Sequence, residues 1–108
     1  MNILSPEFID SDNRRSLTQL LTASLRQVNY YEAKSGSVLG NHYHNETVEY
    51  FYLFEGSLIY NKGSVIESGT FFVVYPREMH TLTCLTDVKM MTFLTKAYDQ
   101  ENPDICKK

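Results

Sequence analysis

From Gln27 to Tyr98 the chain is a succession of short runs rich in Val, Ile, Tyr, Phe and Thr, each cut off by Gly, Asn, Asp or Pro. No run lasts long enough for an ordinary helix, and the residue types are those that suit a pleated, half-buried surface. The first run, Gln27 to Ala33, reads QVNYYEA and closes in the turn Lys34-Ser35-Gly36. Asn61-Lys62-Gly63 supplies hairpin chemistry between SLIY and SVIE. Runs at this spacing predict an all-β sandwich or barrel. Only Ser16 to Arg26 competes as a helix, with Leu17, Leu20, Leu21 and Leu25 on one helical face. Its propensities decide little, and both readings stay open for that segment. At 108 residues the chain has the size of one domain. Residues 1–26 are expected to form an arm or strand, 27–97 the barrel core, and 98–108 a polar tail that wraps the barrel or frays.

Composition narrows the partners. A hydrophobic fraction of 43% supports a real core. The net charge is -3, with both signs interspersed, so no basic stripe is present and nucleic acid is not an expected partner. No apolar run approaches the roughly 20 residues of a membrane span, and the first fifteen residues, MNILSPEFIDSDNRR, lack the apolar stretch of a secretory signal. Cys84 and Cys106 show no close spacing and read as reduced thiols. The expected home is the cytoplasm.

The chemistry is concentrated in the histidines. His42 and His44 are two residues apart, so on a strand both rings project from one face. Alone, such a pair also fits a solvated strand face. Glu49 opens the next run and His80 sits on a later one. Three imidazoles and a carboxylate form a normal ligand set for one divalent transition metal: zinc, iron, manganese, nickel or copper. Glycines stand at fixed offsets from these four residues. Gly36, His42, His44, Glu49 and Gly56 spell G-x5-H-x-H-x4-E-x6-G, and Gly69 lies eleven residues before His80.

These two patterns resemble the paired motifs of the cupins. The resemblance covers nearly the whole chain and implies a compact antiparallel jelly-roll β-barrel. It also implies that His42, His44, Glu49 and His80 converge inside that barrel on a metal. Phe51 and Leu53, in phase with Glu49, and Leu82 and Cys84, in phase with His80, are then expected to line the cavity. Cys84 reads as a small apolar wall residue or a redox-sensitive group. Arg77 and Glu78 stand where the second motif usually has a glycine, and Cys84 where it has an asparagine. Glu46 is a possible substitute for Glu49, which keeps the motif spacing.

Three stretches resemble a narrower group, the cupin domain of capsular-polysaccharide nucleotide-sugar epimerase-reductases. They are FIDSDNRRSLTQLL, GNHYHNETVEYFYLFEG and the closing AYDQENPD. The resemblance implies isomerisation or epimerisation of a keto-sugar or nucleotide-sugar in polysaccharide biosynthesis. Such a reaction needs an acid or base beside the carbonyl, and Tyr52, Tyr43 and Glu46 are the candidates. Two positions depart from the group: Leu39 replaces an arginine, and Arg15 replaces a glycine. The lost guanidinium removes a bidentate phosphate partner. A non-catalytic sugar-binding cupin and a metal-dependent dioxygenase are the alternatives. The 8 tyrosines and 6 phenylalanines exceed what one barrel interior accommodates, which predicts a homodimer.

Overall fold

The computed structural model describes residues 1–107, and every regular element among them is a strand. In chain order these are β1 (Asn2–Ile3), β2 (Phe8–Ser11), β3 (Ser16–Gln19), β4 (Gln27–Ala33), β5 (Val38–Tyr43) and β6 (Glu49–Glu55). They continue with β7 (Ser57–Tyr60), β8 (Ser64–Glu67), β9 (Phe71–Val74), β10 (His80–Cys84), β11 (Val88–Leu94) and β12 (Cys106–Lys107). One sheet runs β1-β9-β6-β11-β4 and a second β12-β5-β10-β7-β8, with every pairing antiparallel. This is the all-β jelly roll that the sequence implies. Ser16 to Arg26 forms no helix: Ser16–Gln19 pairs with Phe8–Ser11 as a separate two-stranded ribbon. Of its leucines only Leu17 pairs with β2, opposite Asp10, while Leu20, Leu21 and Leu25 follow in irregular chain and line a groove beside Phe71 and Phe93.

The two sheets meet through side chains that alternate inward. Phe51, Leu53, Phe72 and Met90 from the first sheet pack with Leu58, Ile66, Leu82 and Cys84 from the second. Phe51 and Phe72 stack with ring centres 4.7 Å apart. Burying each of the larger aliphatic or aromatic groups stabilises the fold by about 1.5–3 kcal/mol. Asn61-Lys62-Gly63 makes the expected turn between β7 and β8, with Asn61 and Lys62 both at positive φ. The C-terminal segment does not fray: β12 adds to β5 opposite His42 and Tyr43.

Two glycines have distinct reasons to be glycine. Gly56, the last residue of the first motif, sits at φ +92°, and a Cβ there would lie 2.3 Å from the Asp87 carbonyl oxygen. Gly36, the first, has φ +87° but open space around it. Gly36→Ala is therefore expected to cost about 1–2 kcal/mol, the penalty of a left-handed backbone for an L-residue. Gly56→Ala adds overpacking and is expected to cost about 2–5 kcal/mol. Urea unfolding midpoints measure both, and equal losses would mean the contact at Gly56 relaxes freely.

Candidate metal centre and cavity

Three strands and one turn bring the site together. Strict alternation along β5 would turn Leu39 away from the face carrying His42. A bulge prevents this. His80 pairs with His42 but Thr81 pairs with Gly40, which leaves Asn41 as the extra residue at φ 64°. The inserted residue shifts the phase, so Leu39 and His42 both face the interior. Gly40 is required beside it, since a Cβ there would stand 2.8 Å from the His80 carbonyl oxygen. On β6, Glu49, Phe51 and Leu53 point inward, and on β10, His80, Leu82 and Cys84 do the same.

The result is a compact polar cluster in an apolar barrel. One donor atom from each of His42, His44, Glu49 and His80 lies within 4.8 Å of all the others. Ring centres are 4.5 Å apart for His42 and His80, 4.9 Å for His42 and His44, and 5.5 Å for His44 and His80. His44 Nε2 is 3.0 Å from Glu49 Oε1, and His80 Nε2 is 3.7 Å from the same oxygen. His44, Glu49 and His80 are buried and His42 is half-buried. Backbone carbonyls orient two of the rings from behind. His44 Nδ1 lies 2.6 Å from Asp104 O, and His80 Nδ1 lies 3.2 Å from Glu78 O.

The electrostatics separate the three rings. Burial, reinforced by the neighbouring His80 and His44, pushes His42 down from 6.5 to about 4. Burial also lowers His80. His44 moves the other way: burial opposes its charge, but the Glu49 carboxylate and the Asp104 carbonyl together outweigh it. Without an ion the site thus pushes His42 and His80 toward the neutral ring and His44, bonded to Glu49 and the Asp104 carbonyl, toward the protonated one.

These residues fit a metal. The donors are those of a hard-to-borderline divalent ion, their separation is close to what bonds of about 2.0–2.2 Å require, and the carbonyls behind His44 and His80 supply the usual outer support.

The cluster opens on a cavity of about 430 Å³ between β4 and the C-terminal segment. Gln27, Asn29 and Tyr31 line one wall, Tyr98 and Ile105 another, with His42, His44 and Glu49 at the floor. A smaller chamber of about 110 Å³ continues inward past Leu39, Phe51 and Leu82. Leu53 and Cys84, expected in the wall, lie deeper in the core. A charged surface cleft of about 210 Å³ between Glu32, Lys34, Glu55 and Lys89 lies at the other end of β6, away from these histidines.

The other sequence candidates fall outside the cavity. Tyr52 alternates to the outer face of β6 and packs 5.2 Å from the Phe54 ring, on the groove shared with Leu20 and Phe93. Tyr43 is out of phase with His42 and lines neither chamber. Glu46 is exposed, and its carboxylate pairs with Lys96 Nζ at 2.6 Å. Tyr31 and Tyr98 are the tyrosines that face the cavity, and the Tyr31 phenol is raised by burial and by the Glu49 charge. Alternation along QVNYYEA was the available signal: Gln27, Asn29 and Tyr31 share a face.

No family model matches the chain, and no curated protein matches it in sequence. Solved structures do. A 3,4-ketoisomerase from Helicobacter canadensis superposes with a TM-score of 0.78 at 16% identity, over 99% of this chain and 90% of that one. QdtA, a sugar 3,4-ketoisomerase from Thermoanaerobacterium thermosaccharolyticum in complex with TDP, gives 0.76 at 13% identity, over 99% and 87%. The fold is that of a cupin, of the kind found in sugar-modifying proteins. Among its neighbours is the capsular polysaccharide assembling protein CapF from Staphylococcus aureus, with a TM-score of 0.63 at 26% identity over 95% of this chain. The chain spans only about a third of CapF, 32% of its length. Among the described residues no helix is long and apolar enough to cross a membrane.

Acidification tests the electrostatics of the ion-free cluster. The folded His42 sits at about 4 against 6.5 for a free ring, so the unfolded chain takes up this proton first as pH falls. The stability contributed by neutral His42 is complete above pH 6.5 and drains away toward pH 4. His80 acts in the same direction, and His44 opposes them, its share being lost as pH rises. Urea midpoints in chelator are expected to fall between pH 7.5 and 4.5, and less so in His42→Ala. An equal slope in both proteins would contradict this assignment.

Proposed function

We propose that the chain binds one divalent transition metal through His42, His44, Glu49 and His80 and isomerises or epimerises a keto-sugar or nucleotide-sugar in polysaccharide biosynthesis. The observation that carries this reading is the four-residue cluster at the floor of a cavity of about 430 Å³. The ketoisomerases that share the fold support the choice of substrate class.

A bound ion supplies Lewis acidity toward a carbonyl oxygen. The protein supplies the rest. Gln27 and Asn29 offer amide donors and acceptors to sugar hydroxyls, and Asn29 is already tied to the buried Thr92 hydroxyl at 3.3 Å. Tyr31 and Tyr98 give the mouth aromatic faces on which a sugar ring can lie. Burial keeps the Tyr31 phenol protonated, so it serves as a proton or hydrogen-bond donor beside Glu49. Leu39, at the position where related cupins carry arginine, lines the inner chamber. That favours an apolar sugar edge there over a phosphate.

A binding protein without turnover is the second reading, and the distance of Tyr43, Glu46 and Tyr52 from the cavity speaks for it. A dioxygenase, which would need redox-active iron, copper or nickel, is the third. Elemental analysis comes first. One equivalent of transition metal is expected, lost in His42→Ala and His80→Ala together with thermal stability, and retained in Glu46→Gln. Metal-free wild type would remove the central claim. Next, deuterium uptake from D2O into TDP-4-keto-6-deoxyglucose, followed by proton NMR, separates turnover from binding. Oxygen consumption with a phenol or diketone would point to the third reading.

The same reading makes the chain a homodimer in a reducing, cytoplasmic setting, where its two unpaired thiols are at home. The β2–β3 ribbon is exposed throughout, with Phe8, Ile9 and Leu17 uncovered, and Tyr30 and Phe54 are bare on the first sheet. Grooves of about 530 and 340 Å³ separate the arm from the aromatic outer face. A second copy covers such surface symmetrically. Sedimentation at micromolar concentration is expected to give twice the chain mass of 12.5 kDa, and a single-chain mass would overturn it.

A further inference from the structure

The residues AYDQENPD, of which the site has so far used only Tyr98, end on the carboxylate that accepts the most hydrogen bonds among the described residues. Asp104 Oδ1 accepts from the Asn45 amide at 2.9 Å. Oδ2 accepts from the Glu46 amide at 2.9 Å and from the Thr47 amide and hydroxyl, each at 2.8 Å. One side chain thus satisfies three successive amides of the turn between His44 and Glu49. Its own backbone carbonyl receives the His44 ring at Nδ1, 2.6 Å away. One residue later, Ile105 joins the cavity wall, and β12 then pairs with His42 and Tyr43.

We infer that Asp104 is a positioning residue: its carboxylate straps the C-terminal segment to the His44–Thr47 turn so that its carbonyl holds His44 with Nε2 turned toward the shared site. A strand end leaves an imidazole free to rotate and to choose either nitrogen. A carbonyl on Nδ1 removes both freedoms, because only an Nδ1–H can donate there and the opposite nitrogen must then face inward. The segment thereby acts as part of the site, and its docking and the site's occupancy reinforce one another. This inference rests on the metal-site reading for its consequence in affinity but not for the ring geometry.

The test uses the whole chain, wild type and Asp104→Ala, with Asp104→Asn as the conservative variant. Asparagine keeps one acceptor oxygen, enough for the Glu46 and Thr47 donors. In ion-free protein the His44 ring N–H is expected to persist in proton–nitrogen spectra of wild type and Asp104→Asn, and to vanish by exchange in Asp104→Ala. Cobalt(II) affinity is expected to fall about 10–100-fold in Asp104→Ala and to recover mostly in Asp104→Asn. Unchanged ring N–H and unchanged affinity in Asp104→Ala would overturn the inference. Should Asp104→Ala fail to fold, hydrogen exchange in wild type decides. Saturating cobalt is expected to slow exchange in peptides covering residues 44–48 and 99–107 together, and no change in the second peptide would overturn it. Wild type that binds no cobalt defeats the metal reading alone, and the ring N–H signal then decides the strap.

Discussion

The pairing of β5 with β10 carries the rest of the site. His42 and His80 stand directly opposite one another in that ladder, and one residue further the register slips. Because a strand alternates faces residue by residue, a slip of one turns every following side chain over. Here the slip is confined to Asn41, whose left-handed backbone absorbs it next to a glycine with no room for a Cβ. Leu39 and His42 can both face inward only because of it. A regular ladder would keep the histidines and lose the apolar wall, or keep the wall and turn the histidines out.

Placing four polar residues inside so small a barrel opposes its stability, since buried groups without partners cost about 1–3 kcal/mol each. The protein meets this cost locally. His44 is bonded at both nitrogens, His80 at one, and no buried side-chain nitrogen or oxygen among the described residues lacks a partner. Burial that keeps His42 and His80 neutral also leaves their lone pairs free. The core below, from Phe51 and Phe72 down to Leu58 and Ile66, is apolar but for Tyr60, whose hydroxyl donates to Glu78, and holds this end of the barrel in shape.

Much of this was legible in the residues, and the exceptions have physical causes. The strand runs and the Asn61-Lys62-Gly63 hairpin follow from local composition, and the convergence of His42, His44, Glu49 and His80 from the resemblance to the paired cupin motifs. Tyr52 is near Glu49 in sequence, but alternation along β6 sends it to the outer face. Glu46 looked close for the same reason, but it lies in a turn whose carboxylate faces Lys96 and solvent. Residues 16–19 form a strand because β2 is there to pair with, a long-range fact that helical spacing of leucines does not contain. Asp104 lay beyond reach altogether, since nothing local connects it to a turn 58 residues earlier.

The cavity mouth has a further property. It lies between β4, the last strand of one sheet, and the segment leading into β12, the last strand of the other. Both are edges, so the entrance is a seam where the two sheets have no ladder between them. A molecule passing through meets side chains, among them Gln27, which accepts from the Tyr98 amide across the seam at 2.7 Å, and no strand ladder has to break to admit it. On the Tyr31 side the width of that seam can vary without touching the register that sets the histidines, whereas on the other side Ile105 lies between Asp104, whose carbonyl holds His44, and the strand paired with His42. Selectivity and ligand geometry are therefore independent on one lip of this entrance and tied together on the other.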